Sequence, residues 1–251
     1  MAVETVGLLH PGEMGAAVGA VLHGQGLRVV WASEGRSAET RERAAAAGLE
    51  DVGSAVEVAR SHVVFSICPP HAAVEVGRSL GPFQGLYVDA NAVSPATARE
   101  VAGIVQGPGG RFVDGGIVGS PPREAGSTRL YLSGPEADTV AGLFEGSVLD
   151  ARLASNASAV KMTYAAWTKG TAAMLLAIRE LARREGVEQT VLAEWDLSQP
   201  QLRERQERAA KSADAKGWRW VGEMEEIAAS FEAAGLPGGF HRAAAEVYRE
   251  R

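Results

Sequence analysis

Cysteine is nearly absent: Cys68 stands alone in 251 residues, so no intrachain disulfide can form and packing must hold the fold. Aromatic residues make up only 6% of the chain, and no uninterrupted apolar run is long enough to span a membrane, so no membrane partner is expected. The five histidines (His10, His23, His62, His71, His241) show no ligand spacing with other donors, so no metal site is expected either. Concentrated positive charge is also lacking. Lys and Arg number 25 against 31 Asp and Glu, a net charge of −6, and the cations are spread along the chain. Phosphate-backbone binding needs a concentrated cationic face, so a nucleic-acid partner is not expected. The opening MAVETVGLLH has no basic leader, which together with the lone cysteine points to a reducing, cytoplasmic compartment. What is present is an ordinary globular composition, 46% hydrophobic and 22% charged, enough for one large domain or two modest ones.

The first 150 residues alternate short apolar runs with helical patterns, the mark of βαβ units on a mostly parallel sheet. Strands are predicted at Val3–Leu9, Leu27–Ala32, Val63–Cys68, Leu86–Ala90, Arg111–Val118, Arg129–Ser133 and Val148–Leu153. Helices are predicted at Met14–His23 and Ser37–Ala47, and Pro70 and Pro95 suit the first turns of two more. The pattern changes near Ala154. Asn156–Arg184 holds one glycine and no proline, which predicts a single helix of about 40 Å. Further helices are expected at Thr190–Trp195, Gln201–Lys211, Trp218–Ala234 and Gly239–Arg249, with Gly186, Pro200, Gly217 and Leu236-Pro237-Gly238 as breaks.

The sharpest local signal is Gly7-Leu8-Leu9-His10-Pro11-Gly12-Glu13-Met14-Gly15, which leaves a strand and opens a helix. A glycine turn there lets the backbone approach a pyrophosphate, and the helix head supplies N–H groups and a positive dipole end. The dinucleotide fingerprint G-x-G-x-x-G is met only by its last two glycines, with His10 in the first slot. His10, Pro11, Gly12, Glu13 and Met14 are thus candidate cofactor contacts. About 20 residues on, Glu34 suits the ribose hydroxyls of NAD, whereas Arg36 and Ser37 suit the 2′-phosphate of NADP. NADP is favoured because Arg36-Ser37 directly precedes a helix, and NAD stays open.

These features resemble the β-hydroxyacid dehydrogenase superfamily, which includes 6-phosphogluconate dehydrogenase and the imine reductases, in a branch with a short helical C-terminal domain. Six motifs carry the resemblance: the Gly12-Glu13-Met14-Gly15 loop, Glu34-Gly35-Arg36-Ser37, Ser66-Ile67-Cys68-Pro69-Pro70, Asp89-Ala90-Asn91-Ala92-Val93-Ser94-Pro95, Asp114–Ser120 and Asn156-Ala157-Ser158-Ala159-Val160-Lys161-Met162. The resemblance implies an α/β fold, with a Rossmann-type domain over 1–153 and an all-helical domain over 154–251 that serves dimerisation and the substrate pocket. It implies that Cys68, Pro69 and Pro70 line the cofactor. It places Asn91 beside nicotinamide and substrate, and Lys161 as the catalytic general acid or base. It assigns Gly116, Val118, Gly119 and Ser120 to a substrate loop. The chemistry needs such a lysine, because hydride transfer to a carbonyl leaves an alkoxide that must gain a proton. The chain departs from the family at Ala165, where an asparagine is usual, and at Val118, where a serine is common. Tyr164 and Thr168 lie nearby on the same helix.

Each candidate also has a plain reading. Lys161 could be a solvated helix residue, with Lys169 its competitor, and Asn91 could cap the helix that starts at Ser94. Cys68 reads as a small strand-end residue, since it has no identifiable histidine partner. Trp218, Trp220, Glu223 and Met224 read as interhelical packing or as a pocket wall, with Glu223 meeting an amine of the substrate. His241 is assigned no role, and Arg203–Arg208 reads as a solvated face with charges paired at helical spacing. The expected function is NADP-linked oxidation or reduction of a small molecule at a carbonyl or alcohol carbon. Imine reduction is the alternative within enzymes, and a non-catalytic dinucleotide sensor or scaffold is the alternative outside them. A homodimer is expected from the length and apolarity of the Asn156–Arg184 helix.

Overall fold

Short runs of branched and aromatic residues form the strands because their side chains alternate between two buried faces. In Val63–Ser66, for example, Val63 and Phe65 enter one core while Val64 enters another. The computed structural model describes residues 3–80, 83–106 and 109–250. By internal contacts the chain divides into two units, Met1–Lys161 and Met162–Arg251, the division falling inside one helix.

The first unit contains strands β1 (Thr5–Leu8), β2 (Arg28–Trp31), β3 (Glu50–Asp51), β4 (Val63–Ser66), β5 (Leu86–Asp89), β6 (Arg111–Gly119), β7 (Thr128–Ser133) and β8 (Leu149–Leu153). They form one sheet in the order β3-β2-β1-β4-β5-β6-β7-β8, parallel throughout except for the antiparallel β6–β7 pair. Helices α1 (Glu13–Gly24), α2 (Ala38–Ala46) and α6 (Ala137–Gly142) contribute to the core on one face. Helices α3 (Ala55–Val58), α4 (Ala73–Ser79) and α5 (Pro95–Val105) contribute on the other. Pro70 opens a 3-10 turn and Pro95 opens α5, as expected of proline in a first helical turn. The chain crosses from one side of β1 to the other between β3 and β4. The carboxyl ends of β1 and β4 therefore frame a topological switch point, where parallel sheets bind ligands.

Helix α7 (Ala157–Ala165) runs through a π turn (Ala166–Gly170) into α8 (Thr171–Arg184), and α9 (Glu188–Ser198), α10 (Leu202–Ala233) and α11 (Gly239–Arg249) follow. Two expectations need correction. The Asn156–Arg184 segment is not one uniform helix: it widens at the π turn, where the Thr171 hydroxyl donates to the Trp167 carbonyl at 2.6 Å. The two helices expected on either side of Gly217 are a single 32-residue helix. Gly217 is buried against Tyr248, and that packing overrides its weak helix propensity. The short β3, α3 and α6 were not among the expected elements.

The candidate dinucleotide site and the lysine on α7

Four loops leave the carboxyl edge of the sheet side by side. The first joins β1 to α1 and holds His10, Pro11 and Gly12. Helix α1 opens at Gly12 with no side-chain cap, and Gly12 and Glu13 are exposed, so the helix head faces solvent. A Cβ on Gly15 would lie 2.2 Å from the His10 carbonyl oxygen, so this position accepts only glycine. The same carbonyl accepts the Gly12 N–H at 2.9 Å, which clamps the His10 backbone. The His10 imidazole is largely buried, and its Nδ1 has no hydrogen-bond partner. Burial, with the Arg36 charge second, lowers its pKa to about 4. Met14 is half-buried and packs against the core.

The second loop follows β2. Glu34 is exposed, and its N–H donates to the Gly53 carbonyl at 3.0 Å. Ser37 caps α2 by accepting the Thr40 N–H at 3.3 Å. Arg36 is half-buried, and its Nε is enclosed without a partner, although a guanidinium normally keeps its donors satisfied. Its charge acts on both His10, after β1, and Cys68, after β4.

The remaining two loops follow β4 and β5. The Asn91 side chain joins them: its Oδ1 accepts the Cys68 N–H at 2.6 Å and its Nδ2 donates to Ser66 Oγ at 3.0 Å. Its own N–H donates to Asp89 Oδ1 at 2.9 Å. The cap of α5 is Ser94, which accepts the Thr97 N–H, so Asn91 does not fill that role. Burial raises the Cys68 thiol to about 12, which keeps it protonated and inert as a nucleophile. Pro69 continues the chain extended, and Pro70 is buried.

Lys161 sits on α7, whose head is fixed by three side chains. Asn156 Oδ1 accepts the Ala159 N–H at 2.8 Å, Ser133 Oγ accepts the Ala157 N–H at 2.9 Å, and Asp114 Oδ2 accepts the Ser158 N–H at 2.8 Å. Asp114 also accepts the Ser158 and Ser133 hydroxyls. With these donors satisfied by protein, the head of α7 is an anchor rather than an anion site. One turn on, Lys161 Nζ donates to the Ile117 carbonyl at 2.8 Å. A Cβ on Gly116 would lie 2.9 Å from Lys161 Cβ and 2.8 Å from the Ala157 carbonyl, so glycine is what lets α7 reach β6. Asp89 at the end of β5 pairs with Asp114, so Ile117 lies three residues past that end, about 10 Å beyond it. The lysine therefore stands on the carboxyl side of the sheet.

Val118 is buried at 3% exposure. Gly119 ends β6 at the surface and Ser120 follows it, its carbonyl accepting the Thr128 hydroxyl. Tyr164 and Glu223 belong to the helical unit. Tyr164 is half-exposed, and Glu223 is buried in an ion pair with Lys169 on the π turn. Trp220 packs edge-on against Tyr248, Met224 is fully buried and Trp218 is exposed. The anchoring by Asp114 and Ser133 and the Lys169–Glu223 pair had no counterpart in the sequence reading. Their partners are 24 to 54 positions apart, and no local spacing announces them.

A family model described as a domain of unknown function (DUF1932) matches residues 182–251. An uncharacterized 28.5 kDa protein of Methanothermus fervidus is 29% identical over 159 residues, which is 61% of this chain and 61% of that protein. Among solved structures, the conserved protein MTH1747, of unknown function and described as similar to 3-hydroxyacid dehydrogenases, is 28% identical, with a TM-score of 0.71 over 98% of this chain and 96% of its own. The 3-hydroxyisobutyrate dehydrogenase of Salmonella typhimurium is 18% identical, with a TM-score of 0.71 over 98% and 93%. A reductive aminase of Aspergillus terreus, solved with NADPH and ethyl-5-oxohexanoate, is 17% identical, with a TM-score of 0.61 over 99% and 93%. The chain thus has the fold of the β-hydroxyacid dehydrogenase-like superfamily along almost its whole length. Among the described residues no helix is long and apolar enough to cross a membrane, and no cluster of potential metal ligands occurs.

Proposed function

We propose that this protein is an NADP-dependent oxidoreductase acting at a carbonyl or alcohol carbon of a small molecule, with Lys161 as general acid in reduction and general base in oxidation. The observation that carries this reading is the fixed placement of Lys161 at the Ile117 carbonyl, past the end of β5. A nicotinamide dinucleotide fits the chain's own groups. The exposed head of α1 suits a diphosphate, and Arg36 with its unsatisfied Nε, beside the Ser37 hydroxyl, suits a 2′-phosphate. The bound cofactor would supply or accept the hydride. Lys161 would hold the proton that the substrate oxygen gains or loses, and Asn91, occupied by Cys68 and Ser66, would keep the β4 and β5 loops in place. The carbonyl reading rests on the retained lysine. The fold shared with a reductive aminase favours imine reduction as the second reading.

A homodimer is part of the proposal. Tyr164, Trp167, Met174, Ile178 and Leu181 recur at helical spacing along α7 and α8, and each is 39% to 60% exposed. A second copy of the chain is the occupant proposed for this stripe, and a strictly monomeric active species in sedimentation would count against it.

The direct test is titration with NADPH and NADH, followed by fluorescence and thermal stabilisation. Saturable micromolar NADPH binding, weakened about tenfold or more in Arg36→Ala with NADH binding unchanged, is the expected result. In a screen of ketoacids, hydroxyacids and cyclic imines, Lys161→Ala should then lower turnover by about 10²–10⁴ without loss of cofactor binding. Absence of binding by either nucleotide would end the oxidoreductase reading.

A further inference from the structure

Where the fingerprint calls for its first glycine, this chain has a histidine, and the surrounding structure is built around it. The His10 backbone is clamped between the Gly12 N–H and the close approach of Gly15. Its Nδ1 is enclosed without a partner, and so is Nε of Arg36, the cation whose charge reaches it. Two enclosed polar atoms without partners are costly in a folded protein unless a ligand completes them. From His10 the chain runs through Pro11 and Gly12 into the uncapped head of α1, so the imidazole and the helix head favour one anion, the diphosphate, while Arg36 serves the 2′-phosphate.

We propose that His10 is a direct ligand of the dinucleotide's diphosphate and that it takes up one proton from solvent as the diphosphate enters. This rests on the dinucleotide reading above and deepens it. In the free protein the imidazole is neutral, because burial and the neighbouring Arg36 both oppose a second positive charge. A diphosphate brings negative charge that offsets Arg36 and favours the imidazolium, which can donate from Nδ1. No bond other than the N–H forms, and the proton comes from the medium. Other charged groups lie around the loop: Arg43, which donates to the Pro11 carbonyl at 3.4 Å and pairs with Glu39; Glu13 in the first turn of α1; and Asp89 at the end of β5. Of these and Arg36, only Arg36 perturbs His10 appreciably.

The test is calorimetric titration of the full-length protein with NADP⁺ at pH 5.5–7.5, in pairs of buffers with different ionisation enthalpies. Wild type, His10→Gly and His10→Gln are compared, with melting curves to confirm that each variant folds. The 2′-phosphate itself titrates near pH 6, and subtracting the variants removes that contribution. The expected result is close to one extra proton taken up per NADP⁺ by wild type near pH 5.5, with affinity tightening about tenfold relative to either variant between pH 7.5 and 5.5. Equal proton uptake in wild type and variants that all bind NADP⁺ would overturn the role of His10 and leave the dinucleotide site standing. Failure of wild type and both variants to bind would overturn both readings.

Discussion

Asp114 shows how one carboxylate can anchor the head of a helix. It accepts from the Ser158 N–H, the Ser158 hydroxyl and the Ser133 hydroxyl, and so ties the first turn of α7 to β6 and β7. Removing it leaves those donors without an acceptor and takes negative charge away from a helix head. Asp114→Ala should therefore cost about 2–3 kcal/mol in urea unfolding. Because Lys161 is four residues along from Ala157, turnover should fall while NADP affinity stays within about twofold. Unchanged stability would sink the anchoring role. At this scale the sequence discloses only what is local. The Gly12–Gly15 spacing and the lysine after Asn156 are local patterns of this kind. The contacts that set the lysine in place span 44 positions, and nothing in the separate motifs says that Asp114 and Ser158 meet.

Among the elements, α10 is the instructive case. Glycine at position 217 reads as a break because it weakens a helix by about 1 kcal/mol relative to alanine. The structure keeps the helix because a face of small residues, Ala209, Ala213 and Gly217, is buried there, with Tyr248 of α11 close by. An added Cβ at Gly217 would meet Tyr248 Cδ1 at 3.7 Å and Ala213 Cβ at 3.9 Å, ordinary contact distances. Gly217→Ala should therefore stabilise the protein by about 0.5–1 kcal/mol and raise the melting temperature by about 1–4 °C. A lower melting temperature would mean the site has less room than these distances allow. The Lys169–Glu223 pair gives the opposite sign. Its side chains are only 15% and 11% exposed, and Glu223→Ala leaves a largely buried ammonium without its carboxylate, a loss of about 3 kcal/mol. A melting temperature equal to wild type would argue against burial of the pair. Long periodic segments and alternating runs were legible as elements, whereas β3 has two residues, α3 four and α6 six, too few to display a period.

For the whole molecule, the perturbed groups set how stability responds to acid. His10 and His241 both have pKa values held below 6.5 by burial, and His241 is enclosed by Phe231 and Phe240. A histidine kept neutral in the folded state gains its proton first in the unfolded state. Stability from this source is thus complete above about pH 6.5 and declines as pH falls towards the folded-state value, about 4 for His10, with a slope of up to about 1.4 kcal/mol per pH unit for each group. The carboxylates act lower. Glu180, held at about 2 by hydrogen bonds from Arg183 and Arg184, and Glu50, Asp51, Asp196 and Glu232, also held below their ordinary values, favour the folded state above about pH 4.5 and lose that contribution as they are protonated. These carboxylates are largely solvent-exposed, so salt should weaken the lower step. It should leave the upper step, which comes from burial, nearly unchanged. Urea midpoints recorded from pH 7.5 to 3.5 at low and high salt should therefore show a salt-insensitive decline beginning near pH 6.5, followed by a salt-sensitive one below about 4.5. His10→Gly should flatten part of the first decline. A midpoint constant between pH 7 and 5 would show that neither imidazole is held neutral by the fold. It would remove the premise that His10 awaits an anion before it can accept a proton.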